Sequence, residues 1–131
     1  MSKSNYLENH FLDALYGGGT FTEPSTVYLA LFSSDPGETG SGTELTGGGY
    51  ARLALTTGTD ITVSGSAATN PSDIEFPEST GTQGNAAYFG LMTAATSGQL
   101  LHYGPLSPAR NINAAGIVLR IPTGDLDITE D

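Results

Sequence analysis

After residue 16 this chain never again keeps a helical period. Eight or nine short apolar or alternating runs follow, separated by clusters of turn-forming residues, a pattern that suits strands and argues against a helix bundle. Residues 27–32, Val-Tyr-Leu-Ala-Leu-Phe, form a continuous apolar run, which predicts a strand covered on both faces. Residues 50–56 alternate, with Ala51, Leu53 and Leu55 on one face and Tyr50, Arg52 and Ala54 on the other. Further strands are predicted at 61–63, 74–76, 86–92, 99–103, 110–112, 117–121 and 126–128, with Gly90 read as a bulge and Thr96-Ser97-Gly98 as a hairpin turn. Gly (18), Thr (17) and Ser (12) dominate the composition, as short strands joined by loops require. The expectation is one all-β domain over 1–131, a jelly-roll-like or Ig-like β-sandwich of about eight short strands with one N-terminal α-helix.

That helix is predicted over 5–16. Asn5 is placed to cap it, with Glu8 three positions on to complete a capping box, and Gly17-Gly18-Gly19 ends it. Leu7, Phe11, Leu12 and Leu15 share one apolar face. Three turns are marginal alone in water, so this face must dock, either on the domain's own sheet or on another subunit.

Fourteen acids against four bases (Lys3, Arg52, Arg110, Arg120) give a formal net charge of −10. A surface of that sign repels phosphate, so neither nucleic acid nor an anionic membrane is an expected partner. No stretch approaches the 18 or so apolar residues of a membrane span, and Met1-Ser2-Lys3-Ser4 leads into the helix without the apolar core of a secretory signal. Cys is absent, which removes thiol catalysis, thiolate zinc sites and disulfides.

The catalytic inventory is thin. His10 and His102 lie in no metal-ligand spacing, and no G-x-S-x-G turn presents a nucleophile. His10 reads as a solvated side chain on the polar side of its helix, and His102 as a residue hydrogen-bonded in or beside a sheet. Asp73 and Glu75 share a strand face, a spacing open to glycoside chemistry but common on solvated strands. The acidic end (Asp125, Asp127, Glu130, Asp131) offers oxygens to calcium without a calcium-loop pattern. The glycine stretches match no phosphate-binding loop, and Asn70-Pro71-Ser72 is barred by its proline from being a glycosylation acceptor. No enzyme activity, cofactor or metal is expected.

Protein contact is the remaining chemistry. Residues 33–49 form the longest aperiodic segment, and a connection of that length in a small domain is an assembly candidate; Asp35 and Glu44 lie in it. Arg52, among Tyr50, Leu53 and Leu55, needs a carboxylate partner within the subunit or across an interface, and Arg110 and Arg120 are read the same way. The candidate interface set is therefore Leu7, Phe11, Leu15, Asp35, Glu44, Tyr50, Arg52 and Arg110. Tyr28, Tyr50, Tyr88 and Tyr103 open a second possibility, stacking on sugar rings.

Ordered along the chain, Ser4-Asn5-Tyr6-Leu7-Glu8-Asn9, Val27 to Phe32, Asp35-Pro36, Gly42-Thr43-Glu44-Leu45, Gly48-Gly49-Tyr50-Ala51-Arg52, Ile74-Glu75-Phe76-Pro77, Tyr88-Phe89-Gly90-Leu91-Met92 and Leu100 to Leu106 resemble a family of small tailed-bacteriophage virion structural proteins, often labelled tail fibre. The resemblance implies a place on the exterior of the head or tail, with host cytoplasm as the site of assembly, and carries no catalytic residues. It implies contact with the major capsid protein or other virion proteins, and a homo-oligomer. Because 131 residues are few for a fibre and no stalk repeat is present, the expectation is a capsid decoration (cement) protein. The alternative is a tail-fibre or tail-tip component that binds carbohydrate or the host surface.

Overall fold

A computed structural model describes residues 2–20 and 22–129. In chain order the elements are β1 (Ser2–Lys3), α1 (Asn5–Tyr16), β2 (Thr26–Phe32), β3 (Leu53–Thr56), β4 (Thr62–Ser64), β5 (Ala67–Thr69), β6 (Ile74–Glu75), β7 (Gly84–Met92), β8 (Leu100–Ile112), β9 (Arg120–Ile121) and β10 (Asp127–Thr129). All pairings between these strands are antiparallel. They form a five-stranded sheet in the order β1-β8-β7-β2-β3, a three-stranded sheet β10-β5-β4 and a two-stranded sheet β6-β9.

The alternation along β2 explains why the large sheet is apolar on both sides. Val27, Leu29 and Leu31 face the main core with Leu55, Phe89 and Leu91, against Ile74, Ile121, Leu126 and Ile128 from the region of the smaller sheets. That arrangement is a β-sandwich, as the sequence predicts. Ala30, Phe32, Met92 and Leu100 form a second cluster of their own, with Tyr28, Tyr88 and Tyr103 packed on it.

Several boundaries differ from expectation, each for a tertiary reason. The predicted strand 50–56 begins only at Leu53, because Gly47, Gly48 and Gly49 all take positive φ and Tyr50 N–H turns back to the Gly47 carbonyl at 2.9 Å. Runs 99–103 and 110–112 are two ends of one strand, β8, which passes through Pro105 and Pro108. Run 117–121 shrinks to Arg120–Ile121, while β1 and β5 have no apolar signal and exist by pairing with β8 and with β4 and β10. Gly90 is not a bulge. It pairs in register with Ala30 and Tyr103, and it is glycine because a Cβ there would lie 2.7 Å from Leu100 Cδ1 and 3.0 Å from Phe32 Cε1. The irregularities lie between Ala86 and Tyr88 and between Leu91 and Met92.

The helix spans the predicted residues, but Ser4 rather than Asn5 caps it. Ser4 Oγ accepts the Leu7 N–H at 3.2 Å and donates to the Leu100 carbonyl, while Ser4 N–H bonds the Leu101 carbonyl at 2.8 Å. The cap is thus also the weld between helix and sheet. Replacing Ser4 by Ala removes both side-chain bonds at a buried site and is expected to cost roughly 1–2 kcal/mol, read as a lower midpoint in urea unfolding. Only Leu7 of the predicted apolar face is buried; Phe11 is half-buried, and Leu12 and Leu15 are 58% and 72% exposed.

Candidate functional site

The residues singled out by sequence fall on three surfaces, in one internal clamp and on the loop that feeds the clamp. The clamp gathers Glu44, Tyr50 and Arg52. Arg52 Nε donates to Glu44 Oε2 at 2.9 Å and Nη2 to Oε1 at 2.8 Å, a bidentate fork. Its Nη1 donates to the Ala94 and Ser97 carbonyls at 2.8 and 2.7 Å, so the same side chain holds the turn between β7 and β8. Tyr50 Oη donates to Glu44 Oε2 at 2.6 Å and accepts the Leu31 N–H at 3.1 Å. Burial pushes the Glu44 carboxyl up, but the Arg52 and Tyr50 hydrogen bonds and the Arg52 charge outweigh it and hold Glu44 below the usual glutamate range. Burial and the bond to Glu44 push Tyr50 well above the ordinary phenol range. The expected carboxylate partner of Arg52 is therefore found, inside the subunit, and this trio is closed rather than presented to a neighbour.

Loop 33–49 supplies Glu44 and is tied down along its length. Ser33 N–H meets the Thr43 carbonyl at 2.8 Å, Leu45 N–H meets the Leu31 carbonyl at 3.0 Å, and the Glu38 carbonyl accepts the Asn5 N–H at 3.0 Å. Asp35 is exposed, and its Oδ1 accepts the Gly37 N–H at 2.9 Å, an Asx-type turn.

The first surface is the second half of α1, where Leu12, Leu15 and Tyr16 stand in solvent. Beneath the first half lies an apolar hollow of about 260 Å³, lined by Leu7, Phe11, Val27 and Leu101 among others, and by both histidines. His10 is half-buried and stacks on Tyr6 with ring centroids 5.7 Å apart, a correction to its solvated reading. Among the described residues no Ser, Asp or Glu lines the hollow. The second surface is the outer face of the large sheet, where Tyr28, Tyr88 and Tyr103 are half-buried on their own cluster. Tyr50 does not join them.

The third surface is a cleft of about 380 Å³. It exists because four residues of β8, 106–109, stand opposite Ala87 alone on β7, so β8 bows outward there. The bow faces the turn that follows β9. Arg110 and Ser107 line one wall; Arg120, Pro122 and Asp125 line the other. Arg120 Nε and Nη2 both engage Glu75 Oε1, at 2.7 and 2.5 Å. Arg110 is exposed and makes no ion pair among the described residues.

Asn70, barred by the following proline from glycosylation, has a structural role that its local sequence does not show. It is 1% exposed and organises the turn that forms the cleft's far wall. Its Nδ2 donates to the Ser72 and Pro122 carbonyls at 2.9 Å each, its Oδ1 accepts the Leu126 N–H at 3.0 Å, and its own carbonyl accepts the Gly124 N–H at 3.0 Å. Asp73 Oδ1 adds a bond from the Thr123 N–H at 2.9 Å, which with the Thr123 hydroxyl holds its carboxyl below the usual range. The Asp73 and Glu75 pair is thus engaged separately, by Thr123 and Arg120. No group of three metal-ligating side chains occurs among the described residues, and Glu130 and Asp131 of the acidic end lie outside them. No described helix is long and apolar enough to cross a membrane.

No curated protein matches the chain. A family model does: the one described as Podophage GP4 fiber I protein gp80 matches residues 2–129. With nearly the whole all-β domain inside that match, the chain belongs to the gp80 family, and it is a bacteriophage virion structural protein.

Proposed function

We propose that this protein is a component of the phage tail fibre that acts by holding protein neighbours and transforms no substrate. The observation that carries this reading is the match of residues 2–129 to a family named for a fibre protein. It favours the fibre alternative over the capsid-decoration role expected from the chain's length. The geometry supports a contact role: Arg52, Glu44 and Asp73 are engaged in internal bonds, while the second half of α1 presents Leu12, Leu15 and Tyr16 without an internal partner surface. Of the candidate interface set, Leu15 is the residue exposed on this helix face, Phe11 is half-buried beside it, and Leu7 belongs to the domain's own core. The neighbours are other virion proteins, with a second copy of the chain among them.

Immunogold labelling of intact particles tests the placement. Label on the tail supports it; label distributed over the head in many copies replaces it with decoration. Leu15→Glu, at an exposed site, is expected to leave the melting midpoint within a few degrees of wild type while reducing incorporation into particles at least fivefold. Wild-type incorporation of this variant would remove α1 as the contact.

A further inference from the structure

We propose that the cleft between the bow of β8 and the turn after β9 is a binding site for a carboxylate-bearing saccharide, a uronic or sialic acid type of ring. Its charge is the first observation. The chain has four cationic side chains and fourteen acids, yet two of the four, Arg110 and Arg120, line this one cleft, and with Arg120 paired to Glu75 it is Arg110 that is left for a ligand. Arg52 is closed inside the clamp, and Lys3 lies with its Nζ 5.9 Å from the Phe11 ring centroid. Arg110 is exposed and makes no ion pair among the described residues, so its planar fork of donors is available to a carboxylate.

The opposite wall decides among anions. Asp125 lines the same space, and its carboxylate opposes a phosphate or a polyacidic peptide, which would bring several negative charges past it. A sugar acid brings one charge for Arg110 and several hydroxyls, which Asp125 accepts and Ser107 can both donate to and accept from. Pro108 and Pro122 supply aliphatic surface for the C–H faces of the ring. The volume of about 380 Å³ lies at the small end of ligand pockets and fits one or two rings. The three tyrosines of the outer sheet face, the first candidates for sugar stacking, do not line this cleft.

The inference does not rest on the fibre placement: binding to the isolated chain tests the cleft, whereas labelling of particles tests the placement. Titration of the ¹⁵N-labelled protein with galacturonate and with N-acetylneuraminate, each a single ring with a single carboxylate, is expected to shift the amides of Ser107, Arg110 and Asp125 with at least one of them. Galactose, the neutral counterpart of galacturonate, should bind at least tenfold more weakly, and added salt should weaken the acidic ligand. Arg110→Met, at an exposed position, should keep the amide spectrum elsewhere and bind the acidic sugar at least tenfold more weakly, with Arg110→Lys between. The proposal is overturned if neither acidic sugar shifts the cleft, if Arg110→Met binds as wild type, or if tetraglutamate or inorganic phosphate binds as tightly as the sugars.

Discussion

Asn70→Ala is expected to lower the thermal midpoint by roughly 10–15 °C, corresponding to about 3–4 kcal/mol. The side chain is 1% exposed and makes bonds to the main chain of Ser72, Pro122 and Leu126. Truncation leaves the Leu126 N–H, in a fully buried residue, without its acceptor and releases two carbonyls. Asn70→Asp separates hydrogen bonding from shape. The aspartate keeps an oxygen for Leu126 N–H but turns its other oxygen toward the Ser72 and Pro122 carbonyls, so its charged form is disfavoured and its folded pKa rises. A carboxyl raised in the folded state destabilises above its unfolded pKa of about 4 and ceases to do so as pH falls to that value. The Asn70→Asp deficit should therefore shrink between pH 7 and pH 4 in urea titrations, while the Asn70→Ala deficit stays constant. An Asn70→Ala midpoint within 3 °C or so of wild type would show that the turn is held by something else.

Arg52→Met is expected to cost about 2–3 kcal/mol at neutral pH, less than a fully buried pair because the Glu44 side chain is 25% exposed against 8% for Arg52. The variant leaves the Glu44 carboxylate with Tyr50 alone and removes the donors to the Ala94 and Ser97 carbonyls. The pH dependence follows from Glu44. Its folded pKa lies below the ordinary glutamate value, so its contribution is present above that value and is lost as pH falls through the lowered folded pKa. In Arg52→Met, burial acts on Glu44 with less opposition and raises its pKa. The gap between wild type and variant is thus widest at neutral pH and narrows in acid. Guanidinium unfolding at pH 7 and pH 4 measures it, and a double-mutant cycle with Glu44→Gln separates the pair's coupling from the loss of the two carbonyl contacts.

Where short-range chemistry decides, the fold was readable from the residues. The helix over 5–16, the apolar strand through Leu29 and Leu31, and the turn at Ser97-Gly98 follow from period, caps and positive-φ positions. The demand that Arg52 find a carboxylate was readable too, because an unpaired cation among Tyr50, Leu53 and Leu55 is costly. Its partner was not, since Glu44 is delivered by a loop whose path depends on Gly42 passing against the Ser34 and Asp35 carbonyls, where a Cβ would lie 2.7 and 2.8 Å away. Asn70 gave no local signal at all: its partners beyond Ser72 lie more than 50 residues along the chain. The cleft was hidden because Pro105 and Pro108 broke the apolar pattern, and the two halves of β8 looked like separate strands. Leu15 shows the reverse error, an apolar periodicity that continues after the helix has left the domain's own surface.

The prolines of β8 have a consequence for how copies of this protein coexist. Among the described residues β1 covers β8 only at His102 and Tyr103, so the sheet's margin beyond Gly104 is not capped by another strand. A margin of that kind ordinarily recruits a foreign strand, rung by rung. Here Pro105 and Pro108 have no N–H to offer, the backbone between them bows away from the sheet plane, and Arg110 adds a charge beyond. Along this margin crowded copies are thereby kept from fusing into a shared ladder, and a contact made here must use side chains.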